Sequence, residues 1–403
     1  MSTEVLFTAL YYAGPFVLVP FGVVVFWIVR ARFLKLKFAI TGETILLEVI
    51  LPKQIFRSPI SMEVVLGALN QYPAGNWWER FSQGKDRAWF SLEMVSLEGK
   101  MHFYIWTASI FKHLLEAQIY AQYGDVEIRE VPDYAGHIKY GLEEGWDMQG
   151  VEQTLTAPDP YPIKTYVDYG LDKEGVKEEF KTDPLTPTIE YLSGLGPGEY
   201  AFFQILVQAT KTRYHKPGTW FGKQDWKAEG KQLIKSLTGQ DKPKGKDGEL
   251  NLGVFKLAPG EVEILKSIER SIGKIGFDCG IRVLYAGKDS SFKKSQYVAM
   301  MNLFTQYSTL NLNGFRPGRM TNVNSVLMKW VGTDKRKVDK LKKEFLEAYR
   351  LRSYFYPPYK RTPFVLNTEE LATIYHYPGG VITTGGLDRI ESKKAGAPTN
   401  LPI

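Results

Sequence analysis

The stretch FSLEMVSLEGKMHFYIWT, residues 90–107, decides the fold because it predicts a half-buried antiparallel hairpin. Apolar side chains recur at every second position on one side of each arm: Phe90, Leu92 and Met94 in the first, and Met101, Phe103 and Ile105 in the second. A period of two is typical of a strand that packs one face on a core. Glu98 and Gly99 predict a tight turn between the arms. The apolar side of this hairpin needs further elements to cover it.

Elements predicted on both sides of the hairpin complete a small domain. Strands are predicted at Thr44–Leu51 and Val126–Val131, and helices at Ser61–Gln71 and Ser109–Tyr123. Ser58 or Ser61 is the expected N-cap of the first helix. The order β-α-β-β-α-β within about 90 residues is that of a ferredoxin-like fold, which we assign to residues 43–132.

The next part of the chain repeats this order with a long interruption. The predicted elements are a strand at Ile163–Tyr169, a helix at Pro187–Leu192, strands at Glu199–Thr210 and Gly276–Ala286, and helices at Pro259–Gly273 and Ser290–Tyr307. Residues 211–257 form an insertion whose middle, Lys223–Leu237, has the pattern of a basic amphipathic helix. We therefore expect a second α+β domain of ferredoxin-like type at residues 133–310.

The C-terminal part is predicted to be mainly helical. Residues 311–362 comprise a loop and a basic helix at Asp334–Arg352. Residues 363–403 comprise a strand at Pro363–Leu366, a helix that begins near Thr368 and a polar tail. The complete prediction is an α+β protein with an N-terminal transmembrane helix, two ferredoxin-like domains and a helical tail.

Residues 1–38 are predicted to anchor the chain in a membrane. No charged residue occurs from Val5 to Val29, and at about 1.5 Å per residue this run can cross a hydrocarbon core of about 30 Å. The anchor is defined by its ends, its interfacial aromatic rings, two prolines that membrane helices tolerate and the first arginines after it: Val5, Val29, Tyr11, Tyr12, Trp27, Pro15, Pro20, Arg30 and Arg32. The basic residues that follow predict a cytoplasmic body. The alternatives are a buried core helix and a cleaved signal peptide, but the latter would need a preceding basic region.

The net charge of +7 is unevenly distributed. Residues 211–247 carry ten Lys or Arg against four Asp or Glu, residues 335–361 carry ten against three, and residues 116–191 carry seventeen acids against six bases. The candidate phosphate contacts are cations of the two basic segments: Lys223, Lys227, Lys231, Lys235, Lys335, Arg336, Lys337, Lys340, Lys342, Lys343, Arg350 and Arg352. Such clusters favour nucleic acid through sequence-independent, salt-sensitive contacts. Anionic lipid, an acidic protein surface and ordinary solvated faces are the alternatives.

Tryptophan-rich stretches are a second class of candidate contact. Trp77 and Trp78 lie between a predicted helix and a predicted strand, where they either cap the core or dock a partner. Trp220, Phe221 and Trp226 accompany the lysines of the insertion, and we expect them to dock a partner as well.

Motifs of common enzyme and metal sites do not occur in the sequence. GxxxxGK[ST], GxSxG and HExxH are absent, and the five histidines are scattered. The single cysteine, Cys279, lies in a predicted buried strand, and one cysteine is too few for a typical structural zinc site. We therefore expect a non-catalytic protein without a metal or cofactor, and an enzyme with an unrecognised site is the alternative.

The C-terminal segments FVLNTEELATIYHYPG (364–379) and RIESKKAGAPTNLP (389–402) resemble the region before the motor domain in ATPases of type IV secretion and conjugative DNA transfer. LNGFRP (312–317) and YPPY (356–359) are similar to features of the same region. LLEVILPKQIFRSPISMEVVLGAL (46–69) is similar to the N-terminal domain of membrane-anchored proteins encoded beside such ATPases in small-genome bacteria. The chain stops at Ile403, so the resemblance implies an ATPase-less form in the bacterial cytoplasmic membrane.

We therefore expect a membrane-anchored accessory component of a type IV secretion-like DNA-translocation machine. Its expected partners are the membrane, a separate ATPase, DNA and further copies of the chain. The alternative is a membrane-tethered scaffold that binds proteins and has no role with nucleic acid.

Overall fold

The computed structural model describes residues 3–52, 57–71, 75–138, 140, 145–173, 182–212, 214–215, 219–220, 222–239, 257–321, 335–379 and 389–390. Only the backbone is described for residues 3–15, 77, 137, 214–215, 289, 335–336 and 389–390. All structural statements below refer to these residues.

The first helix, α1 (Thr3–Thr41), is longer than the predicted anchor. It runs without a break through Pro15 and Pro20, and at about 1.5 Å per residue it spans about 58 Å. Its part Phe16–Thr41 is long and apolar enough to cross a membrane, and none of its most apolar window is buried in the protein. Of the predicted anchor residues, only the backbone is described for Val5, Tyr11, Tyr12 and Pro15. The helix continues past Arg32 and contacts the body.

The remaining helices are α2 (Ile60–Ala68), α3 (Trp77–Ser82), α4 (Lys112–Gln122), α5 (Thr186–Ser193), α6 (Trp226–Leu237), α7 (Pro259–Gly273), α8 (Lys294–Asn302), α9 (Lys335–Arg350) and α10 (Thr368–Ile374). The strands are β1 (Thr44–Pro52), β2 (Trp89–Leu97), β3 (Lys100–Ala108), β4 (Glu127–Val131), β5 (Trp146–Leu155), β6 (Glu199–Ala209), β7 (Tyr214–His215), β8 (Lys223–Gln224), β9 (Gly276–Lys288), β10 (Phe315–Met320), β11 (Phe364–Asn367) and β12 (Arg389–Ile390).

Ten of these strands form one large, mainly antiparallel sheet. Its order is β10-β5-β9-β6-β2-β3-β1, with β4 and the short parallel strand β12 on the far edge of β1 and with β11 beside β9. In both halves the fourth strand lies beside the first, the first beside the third and the third beside the second. The halves meet where β2 pairs with β6, from Trp89–Gln208 to Leu97–Tyr200. The chain therefore builds one continuous sheet across its two halves.

The predicted hairpin is confirmed, but the prediction that it is half-buried is wrong, because both faces of β2 and β3 are covered. β2 pairs with β3 from Ser91–Trp106 to Leu97–Lys100, and the six alternating apolar side chains are all buried in the main core. Glu98 and Gly99 have φ angles of 55° and 86°, and a type I′ turn requires positive φ at both of these positions. Local periodicity and turn chemistry therefore agree at this point of the chain.

The first face of the sheet carries the main core and the C-terminal segment. Side chains of α2, α4, α5 and α8 join the core there, and every residue from Phe364 to Pro378 is buried. Asn367 caps α10 through a capping box with Glu370. α10 packs against α2, and the Tyr377 ring packs edge-on against Phe103 at 5.5 Å between centroids. The segment therefore connects β9 of the second half with the core of the first half.

The second face of the sheet is covered by α9. Phe345, Leu346 and Tyr349 of this helix belong to a second apolar cluster. Beneath it lies a buried polar network centred on Glu93 and Arg352, whose carboxylate and guanidinium approach to 3.1 Å.

Several predictions of local structure differ from the structure. The loop predicted before the basic helix contains the strand β10, which pairs with β5. Residues 163–169 are not a strand, because the Asp168 carboxylate accepts the backbone N–H of Thr165 and holds a turn; the first strand of the second half is β5. The helix predicted at Ser290–Tyr307 is shortened to α8, with 3₁₀ turns on either side. The N-cap of α2 is Pro59 and makes no side-chain capping bond, so neither Ser58 nor Ser61 caps this helix.

Candidate functional site

A cleft of about 910 Å³ lies beside α1, where β2 begins and β6 ends. Its walls come from α1, α2, α3 and α6, from the start of β9 and from the segments next to β2 and β6. Since β2 and β6 are the two strands that join the halves of the sheet, the cleft lies at this junction.

The lining of the cleft is basic. Its cations are Lys35, Arg80, Lys85, Arg87, Lys211 and Lys227, and its carboxylates are Asp86 and Asp225. Glu79 and Asp278 pair with Lys85 and Arg87 from just behind the lining, so among the described residues the excess is two positive charges. Asp225 is occupied as the N-cap of α6, since its carboxylate accepts the Ala228 N–H at 2.7 Å. The arrangement therefore favours an anionic ligand over a cationic one.

Three ion pairs among the described residues hold charged side chains at the cleft, and one of them joins Lys85 to the Glu79 carboxylate at 3.4 Å. Lys35 of α1 lies 3.0 Å from the Asp86 carboxylate, and Arg87 lies 3.2 Å from the buried Asp278 carboxylate. Burial would raise the pKa of Asp86, but Lys35 and the Arg87 backbone N–H outweigh it and hold the pKa below its usual value. Arg87 also donates to the carbonyl of Ala209. Arg87 is therefore a buried structural residue, and the more exposed cations of the cleft form the surface that a ligand could contact.

Lys211 follows directly after β6 and is exposed at the cleft. Within the described ranges of the chain, no carboxylate lies within ion-pair distance of Lys211 or Lys227. Partial desolvation, and then the positive charge of Arg87, lower the pKa of Lys211. A lowered lysine pKa means that the ammonium is disfavoured where it lies, and an anion placed in the cleft would relieve this cost.

Two polar atoms of the cleft residues lack partners. Neither Asn70 Oδ1 nor Thr210 Oγ1 has a hydrogen-bond partner in the described part of the protein, and both atoms are buried. Buried polar atoms are normally satisfied by protein, water or ligand. The lining therefore offers neutral hydrogen-bonding groups as well as charge.

Close backbone approaches shape the cleft. A Cβ on Gly276 would lie 2.6 Å from Nε1 of Trp226, so the indole can pack there only because residue 276 is glycine. Gly84 has a φ of 70°, and its missing Cβ would lie 2.3 Å from the Leu34 carbonyl carbon in α1. These two glycines bring α6 and α1 against the body on two sides of the cleft.

The lysines predicted on the insertion helix are only partly brought together. Lys227, Lys231 and Lys235 share one side of α6, but the helix begins at Trp226, so Lys223 lies before it in β8. Only Lys227 lines the cleft. The prediction that Trp226 docks a partner is wrong, because this side chain is 1% exposed against Gly276.

Three cations of the predicted helix Asp334–Arg352 are held by contacts within the protein, and one of them, Arg352, lies just past the end of α9. Arg352 is 1% exposed and pairs with Glu93 and Asp133, and Arg350 donates to the carbonyls of Ala135 and Ile138. Lys342 is 8% exposed and pairs with Asp147. These three predicted phosphate contacts are wrong, because protein acceptors already hold the side chains where α9 packs on the sheet.

The other α9 cations lie apart from the cleft. Lys337 and Lys340 are exposed, and Lys343 pairs with Asp339 of the same helix at 3.0 Å. The side chains of Lys335 and Arg336 are outside the described residues.

The remaining aromatic candidates have mixed outcomes. Trp78 is 62% exposed, and α3 lies against α1, so Trp78 does not cap the core. Trp220 is 91% exposed. Phe221 and the Trp77 side chain are outside the described residues.

The sequence did not point to this cleft. Of the six lining cations only Lys227 was among the predicted contacts; Lys35, Arg80, Lys85, Arg87 and Lys211 were not, and the six come from four stretches of chain, around residues 35, 80–87, 211 and 227. A glycine before a charged run, as in GKDR at 84–87, was the only local signal of a close backbone approach.

A comparison with protein-family models matches residues 77–385 to a family described as Domain of unknown function (DUF8128). A search of curated proteins finds no match. The matched range includes the complete second half of the sheet, the β2–β6 junction and most of the cleft lining.

Proposed function

We propose, from the premise that the chain belongs to the DUF8128 family, that it is a membrane-anchored, non-catalytic protein that binds nucleic acid in its basic cleft. α1 is the single membrane span, with its N-terminus outside and the body in the bacterial cytoplasm. Each half of the sheet is a ferredoxin-like unit. The support for these units is the shared 4-1-3-2 strand order, with a helix after the first and third strands.

The observation that carries the binding function is the group of six cations in the described lining of a cleft of about 910 Å³, which keeps an excess of two positive charges when the ion-pair partners are counted. Arg80 and Lys211 are exposed there, and Lys227 is half-buried over the Trp226 ring. Phosphate groups along a strand present regularly spaced charges to such a surface without reference to base sequence. Sequence-independent, salt-sensitive binding is therefore the expected mode.

The position of the cleft links binding to the membrane. Lys35 belongs to α1 and follows the end of the apolar run by six residues, or about 9 Å of helix. Nucleic acid bound in the cleft would therefore lie close to the bilayer surface. The corresponding role is an accessory component of a DNA-translocation machine that works with a separate ATPase, as the resemblance of the C-terminal segment implies.

The test uses the full chain in nanodiscs of zwitterionic lipid and a short fluorescent DNA duplex. Anisotropy is measured between about 50 and 200 mM salt, where counterion release dominates. The cleft variant combines Arg80→Gln, Lys211→Gln and Lys227→Gln. The matched control removes the same charge from α9 with Lys337→Gln, Lys340→Gln and Lys343→Gln.

We expect the cleft variant to lose about three units of salt slope, about one for each phosphate contact removed, and the control to behave as the unchanged protein. Equal losses in both variants would overturn the site. Absence of binding at the lowest salt, together with recovery of an ATPase on co-purification, would instead support the membrane-tethered scaffold.

A further inference from the structure

The N-terminal helix carries an aromatic cluster at the end of its apolar run. The Trp27 ring of α1 packs on the Phe81 ring of α3, with centroids 4.7 Å apart. Trp78 lies one turn before Phe81, at 6.2 Å between centroids. The Arg30 guanidinium lies 5.4 Å above the Trp27 ring. The last aromatic ring of the apolar run is therefore packed against the body.

The residues of the body that contact α1 do so in the same order along the chain as their partners occur along α1. Phe81 contacts Trp27, Gly84 approaches the backbone of Leu34, and Asp86 pairs with Lys35. From Trp27 to Lys35 the helix rises about 12 Å. The chain from residue 81 to residue 86 therefore runs along α1 away from the apolar run, and α3 occupies the end nearest to it.

The exposed surface of α3 suits the boundary between hydrocarbon and water. Trp78 is 62% exposed, and Trp27 is 39% exposed. Arg80, two residues after Trp78 on the same short helix, is exposed on a different side, where it lines the cleft. Tryptophan rings concentrate at the headgroup level of membranes, where an apolar ring and a polar N–H are both satisfied.

We infer that α3 is a second membrane contact, which lies in the headgroup zone beside the span and presents Trp78 to the lipid. The occupant of this surface is the bilayer because α3 is packed directly on the last aromatic residue of the apolar helix. With α1 and α3 both in contact with lipid, the body cannot swing freely about the end of the span. The edge of the cleft formed by Arg80 is then held at the membrane surface.

The inference is independent of what the cleft binds. Its test places a spin label at residue 78 through Trp78→Cys in the full chain, reconstituted in nanodiscs. Cys279 is fully buried and is not replaced. Background labelling of Cys279 is measured on the protein without the new cysteine. A matched label at Trp220→Cys reports a tryptophan that is 91% exposed on the insertion.

Power saturation then compares oxygen, which concentrates in lipid, with a water-soluble nickel relaxer. We expect the label at residue 78 to be relaxed more by oxygen than by nickel, and the label at residue 220 to show the reverse. Equal nickel accessibility at the two positions would overturn the inference. The same oxygen and nickel measurements are repeated on the label at residue 78 in a protein that also carries Phe81→Ala. Loss of the ring contact with Trp27 should then release the label into water and raise its relaxation by nickel.

Discussion

Replacing Arg352 by methionine should destabilise the protein strongly. The Arg352 guanidinium lies 3.1 and 3.2 Å from the two carboxylate oxygens of Glu93 and 3.0 Å from Asp133. Arg352 is 1% exposed and Glu93 is fully buried. Arg352→Met therefore leaves a charged carboxylate without its cation in the interior, and breaking a buried pair in this way costs about 3–5 kcal/mol.

The structure places the expected loss at the lower end of that range. Glu93 keeps three neutral donors after the substitution: Ser91 Oγ at 2.6 Å, Tyr134 Oη at 2.7 Å and Gln204 Nε2 at 3.1 Å. Asp133 has an exposed side-chain fraction of 45% and is solvated by water when its partner is lost. We therefore expect a loss of about 3 kcal/mol in the free energy of unfolding.

The assay is equilibrium denaturation of the full chain in detergent, followed by tryptophan fluorescence. The double variant Glu93→Gln/Arg352→Met should lose less than Arg352→Met alone, because no buried charge is left unpaired. Lys340→Met, at an exposed position of α9, should change stability by less than about 0.5 kcal/mol. A loss below about 1 kcal/mol for Arg352→Met would refute the reasoning that the buried pair fixes α9 to the sheet.

Three further predictions concern the C-terminal segment and the contact with α1. Leu371→Ala should cost about 2–5 kcal/mol in chemical denaturation, and the exposed control Leu310→Ala should cost almost nothing. Burial raises the pKa of Glu370 to about 8, so the folded protein favours the neutral carboxyl. The contribution of Glu370 to the free energy of unfolding therefore falls by about 1.4 kcal/mol per pH unit as pH rises from about 4.5 to 8. Glu370→Gln should remove this pH dependence from the free energy of unfolding. Gly84→Ala should raise amide hydrogen exchange in α3, because the added Cβ would clash with the Leu34 backbone. The control Gly239→Ala has the same φ of 70° but open space around it, so it shows the effect of backbone strain alone on exchange near the substitution. Equal increases in local exchange for the two variants would exclude a tight contact between Gly84 and Leu34.

The sheet could be predicted where the signal was local. The alternation in the hairpin and the tight turn at Glu98 and Gly99 each depend on residues close in sequence. The strand Ile163–Tyr169 was wrong because a single carboxylate, Asp168, holds a turn there against the alternation.

The candidate site could not be predicted in the same way. Arg350 and Arg352 look like surface cations because the groups that hold them, such as Glu93, lie more than 200 residues away in sequence. The reverse holds at the cleft, where cations that are isolated in sequence meet only because β2 pairs with β6 and α1 packs on Gly84. Charge density along a chain therefore indicates which segments are basic, and only tertiary pairing decides which cations face an open cleft.

The most direct test of the binding function is site-specific photo-crosslinking to DNA. A benzophenone amino acid is placed at Thr212, an exposed residue of the cleft, and in a second protein at Lys340 on α9. Both full-length proteins are irradiated in nanodiscs with a labelled duplex at low salt. The cleft position should crosslink to DNA and the α9 position should not. Crosslinking at Lys340 alone, or at neither residue, would contradict the assignment of the basic cleft as a nucleic-acid site.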